Sequence, residues 1–237
     1  NGQISTQVTV QDKVVAGTTD KITLLYDKYE AYVNVGTLVT VDGKNLAISM
    51  NASDTADSDT GNEQFTKVAT DYSSLLGQKV NVVFTKSSNV LSVFATDSNT
   101  VYTVAANGIS KDDNRIKFDG NSYGVELTNG GIKTYINGVE SDPTTLNELD
   151  NNTLNPNMYT LVDSDNNGKI DTLSVKVYDV AQVTYAASDK IIANGVTYRY
   201  ADHNIADGIA KDDWIVITSN LYNENLDIVK ADVQTGT

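Results

Sequence analysis

The chain has 237 residues, 40% of them apolar, with thirty-one acidic against seventeen basic residues for a net charge of −14, and no cysteine. That length and composition suit one large β domain or two to three small ones, and they exclude a disordered tail. The charge disfavours nucleic acid and anionic membrane surfaces as partners, the missing cysteines exclude disulfides, thiolate zinc sites and cysteine nucleophiles, and no apolar run nears the ~20 residues of a membrane-crossing helix.

The chain starts at Asn1 without an initiator Met or a signal-peptide pattern, as expected of a processed product or a segment of something longer. Residues 1–36 contain the strand-like stretches Gln7–Val10, Ile22–Leu25 and Tyr32–Val35, the last two expected to be the second hairpin of a truncated unit. Next, Val39–Ile48 alternates apolar and polar residues on both sides of Asp42-Gly43, which predicts a hairpin. An acidic loop, Asn51–Asp59, follows, and Asp71–Leu76 reads as a single helical turn. Val80–Phe84 and Val90–Phe94 predict a second hairpin.

The same succession recurs. Ile116–Val125 turns at Asp119-Gly120, a short helix is expected over Pro143–Leu149 with Asp142 as its cap, and Tyr159–Val162 pairs with Leu173–Val177. Ile191–Tyr200 then turns at Asn194-Gly195, and Trp214–Ile217 pairs with Leu226–Val229. The turn glycines Gly43, Gly120 and Gly195 stand 77 and 75 residues apart. Two hairpins at one spacing define an internal repeat, which divides the chain into 1–36, 37–110, 111–188 and a short 189–237. The fold class is therefore all-β, with tandem antiparallel hairpin repeats forming small barrels or sandwiches.

The sharpest chemical motif is Asp163-Ser164-Asp165-Asn166-Asn167-Gly168-Lys169-Ile170-Asp171. Asp163, Asp165, Asn167 and Asp171 occupy positions 1, 3, 5 and 9 of a calcium-loop pattern, Gly168 sits at the sharp turn, and the Lys169 carbonyl takes position 7. Hard cations want such converging oxygens. Position 12 is Ser174 rather than Glu, and strands flank the loop where helices would be expected. Two readings stand side by side: a calcium site, or a hairpin loop held by its own side-chain hydrogen bonds.

Other constellations carry less. Asn51–Asp59 lacks a turn glycine and ligand order, and the sequons at Asn51 and Asn151 are common by chance in an Asn-rich chain. His203, the single histidine, has no nucleophile elbow with it and reads as an exposed loop residue; Trp214 reads as a core strand residue. Tyr123 and Tyr198 read as core or half-buried sheet residues. Accidental carboxylate pairs are inevitable among thirty-one acids, so they do not point to a hydrolase.

The passage Leu161–Val180 with Ala187–Ile191, together with Leu76–Val82, resembles the repeated ectodomains of clostridial S-layer and S-layer-homology surface proteins. The likeness covers residues 37–233 in pattern, and the anchoring motif of those proteins is absent from the chain. It implies an extracellular, non-enzymatic structural module at the cell surface that associates with copies of itself, with calcium as a stabilising ion. The rival expectation is an adhesin or a module binding cell-wall or surface glycans.

Overall fold

The computed structural model describes residues 7–10, 13–16, 21–24, 31–49, 62–85, 87–149 and 156–232, those before 33 as backbone only. It is an all-β chain: no α-helix occurs among the described residues, and only three short 3-10 turns interrupt the strands. Two compact units divide it, residues 1–100 with 162–167, and residues 101–161 with 168–237.

In chain order, β1 (Gln7–Val10) and β2 (Lys13–Ala16) pair as a two-stranded hairpin. There follow β3 (Lys21–Leu24), β4 (Ala31–Asp42), β5 (Asn45–Ser49), β6 (Asn62–Phe65), β7 (Lys79–Thr85) and β8 (Val90–Ala95). Five of these form the order β6-β5-β4-β7-β8, with β3 also on β4. The expected pairing of Ile22–Leu25 with Tyr32–Val35 is the β3–β4 contact, Ile22 opposite Val33.

The next strands are β9 (Thr100–Ala105), β10 (Ser110–Asp112), β11 (Arg115–Phe118), β12 (Asn121–Val125), β13 (Ile132–Ile136), β14 (Val139–Thr144), β15 (Met158–Asp163), β16 (Lys169–Ile170) and β17 (Thr172–Lys176). They form two sheets, β10-β11-β12-β16 and β14-β13-β17-β15-β9. The last set is β18 (Asp179–Ala186), β19 (Lys190–Ala193), β20 (Val196–Arg199), β21 (Asn204–Ile205), β22 (Trp214–Asn220) and β23 (Asn225–Lys230), in the order β20-β19-β18-β22-β23-β21.

Turn chemistry sets these registers. Asp119 and Gly120 have φ of 50° and 74°, Asn194 and Gly195 49° and 76°, so both central residues take the left-handed backbone that a type I′ hairpin turn demands. Asn137-Gly138 repeats the device between β13 and β14, with φ of 50° and 91°. The first repeat differs. Asp42 pairs with Asn45, so Gly43 and Lys44 are the central residues and only Gly43 (φ 52°) is left-handed, the φ signature of a type II′ turn.

The alternation then buries the expected faces. Leu38, Val41, Leu46 and Ile48 are buried in the first sheet, where Phe65 meets Phe84 edge-on at 5.1 Å between ring centroids. β4 and β5 approach so closely at Gly36 that a Cβ there would collide with the Ser49 carbonyl oxygen. Ile116, Phe118, Ile132, Leu161, Ile170 and Leu173 share one core, drawn from both sheets of strands β9–β17, which is sandwich packing. Ala181, Val183, Ile191, Ile215, Ile217 and Ile228 form another. Each fully buried aliphatic side chain contributes roughly 1.5–3 kcal/mol over its exposed state.

One expectation is narrowed and another changes. Among the described residues no sheet closes into a barrel, since the end strands β14 and β9, or β20 and β21, do not pair with each other, so of barrels and sandwiches it is the sandwich that forms. Residues 143–144 continue β14, and a 3-10 turn begins only at Leu146. Its cap is Thr145, whose N–H and hydroxyl both donate to Glu148 Oε2 at 2.6 and 3.0 Å. β14 is an edge strand, where Pro143 removes no needed ladder donor, so the strand outlasts the helix signal. The turn expected at Asp71–Leu76 forms at Ser73–Leu75, with Asp71 accepting from the Ser73 N–H.

In the C-terminal sheet Asp213 accepts from Lys230 Nζ at 2.8 Å and from the Ala210 N–H at 2.8 Å. The Lys230 hydrogen bond, then that of Ala210, holds its carboxyl below the ordinary 3.8. A lowered native pKa adds stability above the unfolded pKa, and that stability is lost as pH falls through the native value. Asp213→Asn should therefore lower the melting temperature at pH 7, and thermal scans should show the gap from the native chain closing below about pH 4.

Candidate metal centre

The loop Asp163–Asp171 joins β15 to β17, with the two-residue strand β16 inside it. Asn166 (φ 58°) and Gly168 (φ 85°) are left-handed, and this lets the chain reverse within a few residues. The Asn167 N–H donates to Asp163 Oδ1 and to Asp165 Oδ1, each at 3.1 Å, and Asn167 Nδ2 donates to Asp165 Oδ2 at 3.0 Å. The first two are side-chain-to-backbone bonds of an Asx-type loop, and the third joins side chain to side chain.

Contacts from outside the loop fix it further. Ser98 Oγ donates to the Ser164 carbonyl at 3.1 Å, and Thr100 Oγ1 donates to Asn166 Oδ1 at 3.0 Å. At its far end β16 pairs in parallel with β12, and the Glu126 N–H donates to the Ile170 carbonyl at 2.8 Å. Lys169 Nζ reaches Glu126 at 2.9 Å, an ion pair half open to solvent and worth little by itself.

The outcome is that carboxylate oxygens of Asp163, Asp165 and Asp171 all lie within 4.8 Å of one another, Asp163 buried, Asp171 half-buried and Asp165 exposed. Three negative charges this close repel, and a cation among them would remove the repulsion. The cluster could hold a metal ion. Oxygen donors of this kind belong to hard cations.

Of the five residues singled out by spacing, three supply this cluster. Asn167 braces two of them through its N–H, and the side chain of Lys169 turns to Glu126. Ser174, at position 12, sits in β17 opposite Tyr135 of the neighbouring strand, as a sheet residue. Ser98, Thr100 and Glu126 escaped the sequence reading. They lie far from the loop in sequence, and only the fold brings them to it.

His203 is half-buried rather than exposed, edge-on to Tyr198 at 5.9 Å between ring centroids. Burial, and then the negative charge of Asp179, raises the Tyr198 hydroxyl above its ordinary pKa. Tyr123 is half-buried as expected, stacked on Phe118 at 4.3 Å. Trp214 is 44% exposed, contrary to its core-like reading. In β22 the buried apolar residues are Ile215 and Ile217, so Trp214 falls on the opposite face. The acidic loop Asn51–Asp59 and the sequons at Asn51 and Asn151 lie outside the described residues.

No protein-family model matches the chain, and no curated protein matches it.

If the three carboxylates repel, neutralising one relieves the loop in the absence of a cation. Asp171→Asn should raise stability by about 1 kcal/mol in chelator. In millimolar divalent cation the native chain should instead be the more stable of the two. Paired melting curves check both signs, and an order that is the same in both buffers would sink the metal assignment.

Proposed function

We propose that this chain is a structural, self-associating module of an extracellular cell-surface layer, S-layer-like in kind, and not an enzyme. The observation that carries this reading is the architecture: hairpins in series forming open sheets, with strand edges left at their ends. An open edge presents unpaired N–H and C=O groups, and strand pairing with a neighbour is what such groups do best. The acidic, cysteine-free composition supports a crowded extracellular setting held by packing and ions rather than by disulfides. Repetition of contacts that do not close on themselves would extend the assembly into a filament or array.

Calcium is the cation that best suits the loop. Asp163, Asp165 and Asp171 supply the charge, and the Asn167 side chain and the Lys169 carbonyl are the further oxygens this reading assigns to the ion. The ion's work there is mechanical, tying β15 to β17 across the loop. Calcium at about a hundred times its dissociation constant would add about 2.7 kcal/mol to stability.

Negative-stain electron microscopy of the purified chain, with millimolar calcium and with chelator, tests both parts. Ordered sheets or filaments that disperse in chelator are the expected result. Assemblies that persist in chelator would leave the structural role and remove calcium from it. Dispersed particles in both samples would remove the self-associating role.

A second reading, a glycan-binding or adhesin module, is favoured by Trp214. Cross-strand register sets Val180 opposite Val216 and Val216 opposite Val229, and Trp214 stands two residues from Val216 on the same face. An exposed indole beside aliphatic side chains is a surface on which an apolar sugar face can stack. On this reading Trp214→Ala abolishes retention on cell-wall glycan while the melting curve stays near native; on the structural reading neither protein is retained.

A further inference from the structure

Of the two prolines in the chain, only Pro143 follows an acid, so Asp142-Pro143 is the single Asp-Pro step. It falls in β14, an end strand of the order β14-β13-β17-β15-β9. Register runs one to one from Ile136 opposite Val139 to Thr134 opposite Ser141, and resumes at Ile132 opposite Thr144. Asp142 and Pro143 therefore share a bulge opposite Lys133 alone, and proline brings no N–H to the ladder. The Asp142 side chain is exposed, and among the described residues no hydrogen bond or ion pair engages it. The other charged side chains of the two paired strands are Lys133 and Glu140, which reach each other at 3.9 Å.

We propose that the Asp142–Pro143 bond is a self-cleavage site, at which the Asp142 carboxylate cuts its own chain in mild acid while the module stays folded. Reach is built in. A side-chain oxygen and the backbone carbonyl carbon of one aspartate close a five-membered ring, an intramolecular attack of the kind whose effective molarity reaches roughly 10⁵ M. The new C–O bond makes a cyclic anhydride as the C–N bond to Pro143 breaks. The electron pair of that bond goes to the proline nitrogen, which takes a proton from the acidic medium and leaves as a secondary amine. A proline amide is tertiary, and its nitrogen accepts that proton more readily than an ordinary peptide nitrogen. Water then opens the anhydride, so one water is consumed, Asp142 becomes a C-terminus and Pro143 an N-terminus. The open edge of the sheet gives the carboxylate room to swing onto its carbonyl and admits the water. Both cut ends stay tied to β13. Val139, Glu140 and Ser141 keep their partners there, and beyond the cut the Thr144 N–H donates to Thr134 Oγ1 at 3.1 Å, with the two hydroxyls 2.9 Å apart. Cleavage thus leaves residues 1–142 and 143–237 in one folded particle. The inference goes beyond the self-associating reading and does not depend on it.

Incubation of the full chain at about pH 4, where ordinary carboxyl groups are near half ionised, tests this at a temperature at which circular dichroism shows it folded. The expected result is two fragments by intact-mass spectrometry, eluting together on gel filtration, formed within about tenfold of the rate in guanidinium; a bond that had to wait for global unfolding would be cut roughly 10³-fold more slowly or worse. Asp142→Asn removes the nucleophile and Pro143→Ala the leaving group, and each should slow cleavage about tenfold or more. Melting curves establish that the variants fold, and either one suffices. A folded chain that stays intact, whatever happens in guanidinium, overturns the proposal, and so does cleavage of the folded variants at the native rate. Fragments that elute apart overturn the retention of both ends on β13.

Discussion

A left-handed backbone at the hairpin turns is the constraint on which the rest of this molecule depends. Asp119-Gly120, Asn137-Gly138 and Asn194-Gly195 each put two adjacent residues at positive φ, a conformation that costs most side chains roughly 1–2 kcal/mol but that Asn, Asp and Gly tolerate. Once the turn is placed, the register of its two strands is placed with it. A slip of one residue would send every inward side chain to solvent. Ile116 and Phe118 face the core, with Lys117 outside, because Phe118 must lie opposite Asn121. With no disulfides to tie the chain, this local geometry sets the register of each hairpin.

From correct registers follow the cores, and from the cores follows what remains open. Val180, Trp214 and Val229 are exposed because Ala181, Ile215 and Ile228, one residue along each strand, fill the interior. β18 serves two neighbours in succession. Its first half pairs with β22, and from Val183 onward its second half pairs with β19 on the other edge, with an irregularity between Val183 and Tyr185. Among the described residues the sheets end in strands of unequal character, with acids and Pro143 on β14 and no charge on β8 or β9.

The hairpins were legible in the sequence because their signals are local. Alternation and an Asn/Asp-Gly pair located β11–β12 and β19–β20, and the strand pair 80–94 needed only two apolar runs with a polar gap. Sheet membership was not legible. That β9 lies beside β15, or that β16 joins β12 in parallel, depends on contacts far apart in sequence that no periodicity encodes. The helix expected after Asp142 failed for a related reason. Proline suits both a helix start and an edge strand, and pairing of β14 with β13 decided the matter. Trp214 was misplaced because a strand residue with apolar neighbours can face either way, and the phase is set by the sheet. In the loop, spacing alone identified the three acids that cluster, while the Ser98 and Thr100 hydrogen bonds that hold it were invisible.

The two readings of that loop are less opposed than spacing alone makes them. Hydrogen bonds from the Asn167 N–H to Asp163 and Asp165 are what an ordinary Asx-type loop would show, and they are present. A carboxylate offers about four acceptor positions, so accepting one N–H does not bar it from a cation. Asp171, half-buried at the other end of the loop, brings a third carboxylate within 4.8 Å of the first two acids, which adds charge repulsion to the loop. The loop tolerates that repulsion because its ends are held by β15, β16 and β17, whose apolar residues Leu161, Ile170 and Leu173 are fully buried. The strands set the spacing of the acids, and at that spacing the same loop that is braced by its own hydrogen bonds could also hold a metal ion.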